Sequence, residues 1–227
     1  MPDDFRNQWR AIAFFERMNP DAAPLKKTLI AIVSIIAFAG TAAAQDGIPL
    51  GDAQRIARKF VATVEAFNEQ PFTVEADGDK PSGVKGGEAG VIVVPDKRLS
   101  AESFAKAGKE YTPVGQFWAR KVMLVTGGRP VASDKLRIAT MGDGERSSEV
   151  QFFLLGMAKN EKGEPELLVF GKGKEPLFRV PLEKRSEVKQ ELPIEVSGRG
   201  AGEGSAVLTL NLLGRYTAEL EIQKSGE

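Results

Sequence analysis

Residues 206–223 read AVLTLNLLGRYTAELEIQ, and the spacing of their apolar side chains decides the fold class. Leucine occupies every second position at 208, 210 and 212, and Ala218, Leu220 and Ile222 repeat that spacing. A period of two places alternate side chains on the same face of a β-strand. The stretch therefore predicts two strands, 206–213 and 216–223, each with one apolar face turned toward a core.

Further strand patterns precede this pair along the second half of the chain. In order, the candidate strands cover 117–126, 135–141, 150–158, 167–170, 177–182 and a strand that starts at Ile194. Residues 150–158 are apolar at odd and even positions alike, which predicts a central strand. Pro181 predicts an edge position, because proline has no N–H to donate to a neighbouring strand. Glycine is so frequent in 197–205 that this segment is predicted to be a hairpin loop.

Two of these candidates carry finer predictions. We expect 117–126 to be one long strand that ends at a turn of Gly127 and Gly128. In 135–141 the expected apolar face contains Leu136, Ile138 and Thr140. Asp143 and Gly144 are then typical of a tight turn.

The segment 52–70 is the best helix candidate. Ile56, Phe60, Val64 and Phe67 recur every three or four residues and fall on one helical face. Asp52 is the expected cap of the first turn, and Pro71 is expected to stop the helix. We expect the apolar face to pack on the sheet; the alternative is attachment to a membrane surface.

Shorter elements follow this helix. Residues 72–76 are predicted to be a short strand, and 77–90 (DGDKPSGVKGGEAG) is predicted to be a flexible glycine-rich loop. Because fourteen residues are many for a loop, the segment is either mobile or hides a hairpin. A buried strand is expected at 91–94, and Ser100 is expected to cap a short helix that runs to Ala107.

The resulting fold class is mainly β. About nine to ten short strands predict an antiparallel β-sandwich, or a partly closed barrel, with the amphipathic helix packed on it. The strand-rich part covers 91–227, and no helical pattern interrupts the last hundred residues, which disfavours a parallel β–α–β sheet.

The first 44 residues have the pattern of a secretory signal peptide. Lys26 and Lys27 precede the apolar run LIAIVSIIAFA at 29–39, and Ala42 and Ala44 supply small residues at a cleavage site. An uncleaved anchor is disfavoured because a helical membrane span needs about 20 apolar residues. The acidic, aromatic lead before Met18 suggests that the true start is Met18; the alternative is a long n-region that carries a short amphipathic helix. We therefore expect one exported domain, 45–227, with no membrane span after cleavage.

Composition excludes several classes of chemistry. The chain contains no histidine and no cysteine, so disulfides, Ser-His-Asp and Cys-His catalysis and the usual zinc, iron–sulfur and haem sites are excluded. It contains 31 basic and 31 acidic residues, which provides no broad positive field for nucleic acid. We expect no cofactor and no nucleic-acid partner.

Few motifs could carry a site. Asp77 and Asp79 superficially resemble part of a calcium loop, although a solvated turn is favoured. Trp118, with Tyr111 and Phe117, could form a platform for a glycan, although core packing is favoured for Trp118. Ser-x-x-Lys occurs at 82–85, 103–106 and 186–189, and three matches in one chain show how unspecific the pattern is.

These observations favour a non-catalytic exported domain, periplasmic or extracellular, that binds or scaffolds a protein partner or a glycan in the cell envelope. One alternative is a structural accessory domain that assembles with copies of itself. A second alternative is a hydrolase that uses carboxylates or a Ser–Lys pair.

The signal pattern generates a direct prediction. When the full chain is expressed in an exporting bacterium, the recovered protein should begin at Gln45, because cleavage follows the small residue Ala44. Intact-mass measurement checks this. A recovered chain that still contains Met18 would contradict it.

Overall fold

The computed structural model describes residues 46–64, 70–142, 147–202 and 204–225. These residues are mainly antiparallel β-strands in two sheets with few helices, which confirms the predicted sandwich-like fold class. The expected signal peptide at 1–44, the start at Met18, the side chain of Phe67 and the Asp143–Gly144 turn lie outside the described residues.

The described elements are two α-helices, a short 3₁₀ helix at Ser133–Lys135 and fourteen strands, several of which contain only two residues. The helices are α1 (Leu50–Val64) and α2 (Ala101–Lys106). The strands are β1 (Asp46–Gly47), β2 (Ser82–Gly86), β3 (Ala89–Pro95), β4 (Thr112–Arg120), β5 (Val122–Thr126), β6 (Arg129–Pro130), β7 (Arg137–Met141), β8 (Ser148–Lys159), β9 (Pro165–Phe170), β10 (Phe178–Pro181), β11 (Glu183–Lys184), β12 (Ile194–Gly202), β13 (Ser205–Leu212) and β14 (Tyr216–Lys224).

The described strands form one sheet of eight strands and one of six. The first sheet has the order β1-β2-β3-β4-β8-β9-β10, and β7 also pairs with β8. The second has the order β12-β13-β14-β5-β6, and β11 also pairs with β14. As predicted, β8 is central and the strand that contains Pro181 lies at an edge of the first sheet.

Two apolar cores lie on opposite faces of the first sheet. One core joins the two sheets and contains, for example, Phe117, Phe153 and Leu210. The other lies under α1 and contains Trp118 and Phe152. The first sheet is therefore covered on both faces, which explains why its strands have continuous apolar runs rather than alternation.

Helix α1 packs on the sheet, as predicted. Ala57, Phe60 and Val64 face the second core, and the Phe60 ring stacks on Trp118 with centroids 4.3 Å apart. The expected cap at Asp52 is wrong, because the helix begins at Leu50. Asp52 lies in the first turn and pairs with Arg55 instead.

The expected helix range of 52–70 does not extend to Gln70, which is not helical. Within the described residues the helix covers Leu50–Val64, and residues 65–69 lie outside them. The predicted strand at 72–76 is wrong as well: within the described residues this segment forms a single β-bridge, between Ala76 and Asp96. The N–H of Glu75 instead bonds to the side chain of Asp96, so a carboxylate replaces a pairing strand.

Strands occupy much of the two glycine-rich segments predicted to be loops, and for 77–90 the alternative of a hidden hairpin is confirmed. The segment 77–90 contains the hairpin of β2 and β3, whose tight turn places Gly87 at φ 63°. The segment 197–205 mostly continues β12, which pairs with β13. Glycine has no side chain to show a period of two, so the pairing partner decides these conformations.

The predicted long strand 117–126 is two strands in different sheets. The chain turns at Lys121, which has φ 55°, and passes from β4 in the first sheet to β5 in the second. The turn at Gly127 and Gly128 is confirmed, because β5 and β6 pair across it.

The face predicted for 135–141 is inverted within β7. Arg137 and Ala139 are buried, whereas Ile138 is 44% exposed and Thr140 is exposed. Leu136 is buried but precedes the strand. Because Arg137 lies over the ring of Phe152, the inward face is occupied by a cation on an aromatic ring rather than by the apolar series.

The helix α2 matches the prediction. Ser100 caps it, and the Ser100 hydroxyl accepts from the Ser103 N–H while the Ser103 hydroxyl accepts from the Ser100 N–H. The helix ends at Lys106, one residue before the predicted Ala107.

The buried carboxyl of Asp96 ties the segment before β2 to the end of β3. Its oxygens accept hydrogen bonds from the N–H groups of Glu75 and Arg98 and from the Arg98 guanidinium, at 2.8–2.9 Å. Burial alone would raise the pKa of Asp96, but the hydrogen bonds and charge of Arg98 together lower it below its ordinary value.

Phe60→Ala should lower the free energy of unfolding by about 3 kcal/mol, because it removes a buried ring and leaves a cavity beside Trp118. Urea unfolding of the full chain measures the change. Lys59→Ala, on the exposed face of the same helix, should change stability by no more than about 0.5 kcal/mol. Equal losses in both variants would contradict the packing described for α1.

In Asp96→Asn, the free energy of unfolding should decrease less than in the wild type as the pH is lowered into the acid range. Since the folded pKa of Asp96 is lowered, its ionised form stabilises the fold above the unfolded pKa of about 3.9, and that contribution is lost as the pH falls through the folded pKa. Urea midpoints between pH 7 and pH 2 measure this. Asp134→Asn, at an exposed carboxyl, is the control and should leave the urea midpoints as in the wild type.

Candidate functional site

A cleft of about 190 Å³ opens between α1 and the β2–β3 hairpin. Its floor is formed by Ile92, Trp118 and Val150 of three strands of the first sheet, and Ile48 and Ile56 line its walls. Most of this lining is apolar. The cleft can therefore exclude water from an apolar group that enters it.

The cleft lies where α1 stops covering the first sheet. Ile92 and Trp118 are direct neighbours across β3 and β4, and both are buried beneath the helix. The next row on the same face consists of Lys85, Gly90 and Arg120, neighbours across β2, β3 and β4. Lys85 and Arg120 are exposed, so this row forms the mouth of the cleft.

The mouth carries charges of both signs. Glu88 bonds to Lys121, and the hydrogen bond and charge of Lys121 lower the pKa of Glu88. Lys85 and Arg120 form no side-chain hydrogen bond or ion pair with any other residue in the described part of the chain. The charge of Arg120 also contributes to the lowered pKa of Glu88. Two exposed cations therefore lie beside an apolar cavity, and one of them acts on Glu88.

Tryptophan 118 belongs to the cleft floor but is 1% exposed. One ring face stacks on Phe60, and the ring also contacts Phe152 with centroids 4.5 Å apart. The indole N–H donates to Oε1 of Gln116 at 3.1 Å. This packing makes Trp118 a structural base for the cleft rather than an exposed surface for stacking.

The two other rings of the expected aromatic platform lie elsewhere. Phe117 points to the opposite face of β4, into the core between the sheets. Tyr111 is half-buried against Phe72 and Phe170. The structure does not bring Trp118, Tyr111 and Phe117 onto one exposed surface.

The two metal candidates support the loop before β2. Asp79 accepts from the guanidinium of Arg58 at 2.7 Å, which fastens the loop to α1. Asp77 accepts from the Asp79 N–H at 3.1 Å and lies 3.6 Å from the Lys80 ammonium. Among the described residues, no group of three or more acidic, histidine or cysteine side chains is placed to hold a metal ion.

The Ser-x-x-Lys matches serve structural purposes where their contacts are defined. The Ser82 hydroxyl accepts from the N–H of Val196 at 2.9 Å and so connects the edges of the two sheets. Ser103 belongs to the cap of α2. Ser186 and Lys189 lie in an exposed segment without regular structure.

Sequence reasoning missed both the cleft and its cations. A signal for the hairpin was present, since Gly86 and Gly87 separate Val84 from Val91 as turn residues separate two strands. Nothing in the sequence shows that Lys85 and Arg120 share a row, because that depends on pairing through β3.

No family model matches the chain, and its comparison with curated proteins and with solved structures gave no match. Within the described ranges, neither helix has the length and apolarity that a membrane crossing requires. Function must therefore be inferred from the geometry of the cleft.

Proposed function

We propose that the chain is a non-catalytic binding domain, exported to the cell envelope, that takes one large apolar side chain of a protein partner into its cleft. The observation that carries this proposal is an open apolar cavity, built on Trp118, at the boundary of α1. The signal pattern of residues 1–44 supports the location outside the cytoplasm.

The size of the cleft supports a single side chain as the occupant. An apolar cavity of about 150 Å³ binds a benzene ring, whereas sites for drug-sized molecules measure about 300–1,000 Å³. At about 190 Å³, the cleft suits one aromatic ring or one branched aliphatic group. Buried aromatic anchors of this kind supply much of the binding energy at protein interfaces.

The lining favours a protein partner over a glycan. Sugars stack on exposed aromatic faces, and the ring of Trp118 is covered by Phe60 and Phe152. The walls that remain accessible are aliphatic, at Ile48 and Ile56. An apolar side chain matches these walls better than a hydroxyl-rich ring does.

The groups at the mouth support binding rather than catalysis. The ionisable side chains that line it are Lys85, Arg120 and Glu88, and Glu88 is held by Lys121. Two cations and one paired carboxylate can orient a ligand, but they provide no pair of free carboxyls for acid–base chemistry.

A neutral apolar probe tests the proposal. In the full chain with Trp9→Phe, Trp118 is the only tryptophan, and 4-phenylbutan-1-ol should change its fluorescence saturably. Val150→Phe adds a ring beneath the cleft and should weaken binding at least about tenfold, because it fills the space that the probe needs.

Val188→Phe is the matched control, since Val188 is 63% exposed and lies outside the cleft; it should bind like the parent chain. Ile56→Phe provides a second filling variant if Val150→Phe does not fold. A cooperatively melting parent chain that shows no saturable response would overturn the proposed function.

A further inference from the structure

We propose that the partner's apolar anchor is accompanied by a carboxylate, which binds at the mouth of the cleft over Gly90, between Lys85 and Arg120. The occupant is thus an acidic protein segment that carries one large apolar residue. This inference rests on the proposed function and specifies the chemistry of the partner.

The row of residues at the mouth creates a gap with a cation on each side. Lys85 pairs with Gly90, and Gly90 pairs with Arg120, so the three residues lie side by side on one sheet face. Neighbouring strands are about 4.8 Å apart, which puts the two cationic residues about 10 Å apart at the backbone. Since Gly90 has no side chain, the space between them is open.

A side chain at position 90 would enter this gap. A β-carbon at Gly90 would lie 3.3 Å from the Val84 carbonyl oxygen and 3.7 Å from the β-carbon of Lys85. The flexible side chains of Lys85 and Arg120 can both reach an anion placed over this glycine. A planar guanidinium can also bind both oxygens of a carboxylate at once.

The charge balance at the mouth favours an anion. Lys85, Arg120 and Lys121 provide three positive charges, and Glu88 provides a negative charge that Lys121 engages. Asp46 provides a second negative charge, since it lies opposite Lys85 in β1. The mouth therefore has a small positive excess, which attracts an anion such as a carboxylate.

The spacing suits one short segment of a protein. Arg120 follows Trp118 by two residues along β4, a distance of about 7 Å at the backbone. An apolar side chain over the floor and a carboxylate over Gly90 are therefore separated by a distance that neighbouring residues of one peptide can span.

Two probes that differ only in their terminal group test the inference. In the full chain with Trp9→Phe, 4-phenylbutyrate should bind about tenfold more tightly than 4-phenylbutan-1-ol at low ionic strength. The advantage should shrink in 0.5 M salt, because these charges are exposed.

The double variant Lys85→Gln, Arg120→Gln should abolish the carboxylate's advantage, so that 4-phenylbutyrate and 4-phenylbutan-1-ol bind it with equal affinity. The control Lys184→Gln, Arg185→Gln removes two exposed charges from the vicinity of β11 and should keep the advantage. Retention of the advantage in the first double variant would overturn the inference.

The failures of the two proposals give different results. Equal binding of both probes, weakened by Val150→Phe, would overturn the carboxylate site and leave the apolar cleft standing. Tighter binding of 4-phenylbutyl phosphate than of 4-phenylbutyrate would also overturn the choice of a carboxylate. If neither 4-phenylbutyrate nor 4-phenylbutan-1-ol binds a folded chain, the proposed function fails together with this inference.

Discussion

The stack of Phe60 on Trp118 is the contact on which the rest of the structure depends. It places α1 over the middle of the first sheet and so buries that sheet on both faces. Strands with two buried faces need apolar residues at successive positions, which is why 152–155 reads FFLL. The second sheet buries only one face, so apolar and polar residues alternate along its strands. The contact between α1 and the first sheet thus explains why the strands of the two sheets have different patterns of apolar residues.

The same contact creates the cleft. The helix covers the row of Ile92 and Trp118 but leaves the next row, from Lys85 to Arg120, exposed. Ile92 and Trp118 of the floor and the charged residues of the mouth therefore lie in adjacent rows of one sheet face. A cavity formed at such a boundary needs no flexible element to open, because its walls belong to the packed core.

Single residues join the two sheets and determine how far the sandwich closes. Lys121, in a left-handed conformation, carries the chain from β4 into β5 without a long loop. On the opposite side, the Ser82 hydroxyl bonds to the N–H of Val196 where the sheet edges approach. The buried Asp96 then fixes the chain segment that leads from α1 to β2. The Ser82 and Asp96 contacts link segments that are distant in the sequence, whereas Lys121 allows the chain to change direction abruptly.

The sequence by itself determined the faces of α1 and of 206–223, the cap at Ser100 and the central position of 150–158, because local periodicity and capping depend on near neighbours. Tertiary structure decided the strands within 77–90 and 197–205, since glycine shows no period and takes its conformation from the strand that pairs with it. It also decided which side of β7 is buried, because Arg137 and Phe152 meet only across strands. The cleft depends on how far α1 covers the sheet and on which residues share a row. Such neighbours are set by strand pairing over long distances in the chain, and no local pattern of side chains contains that information.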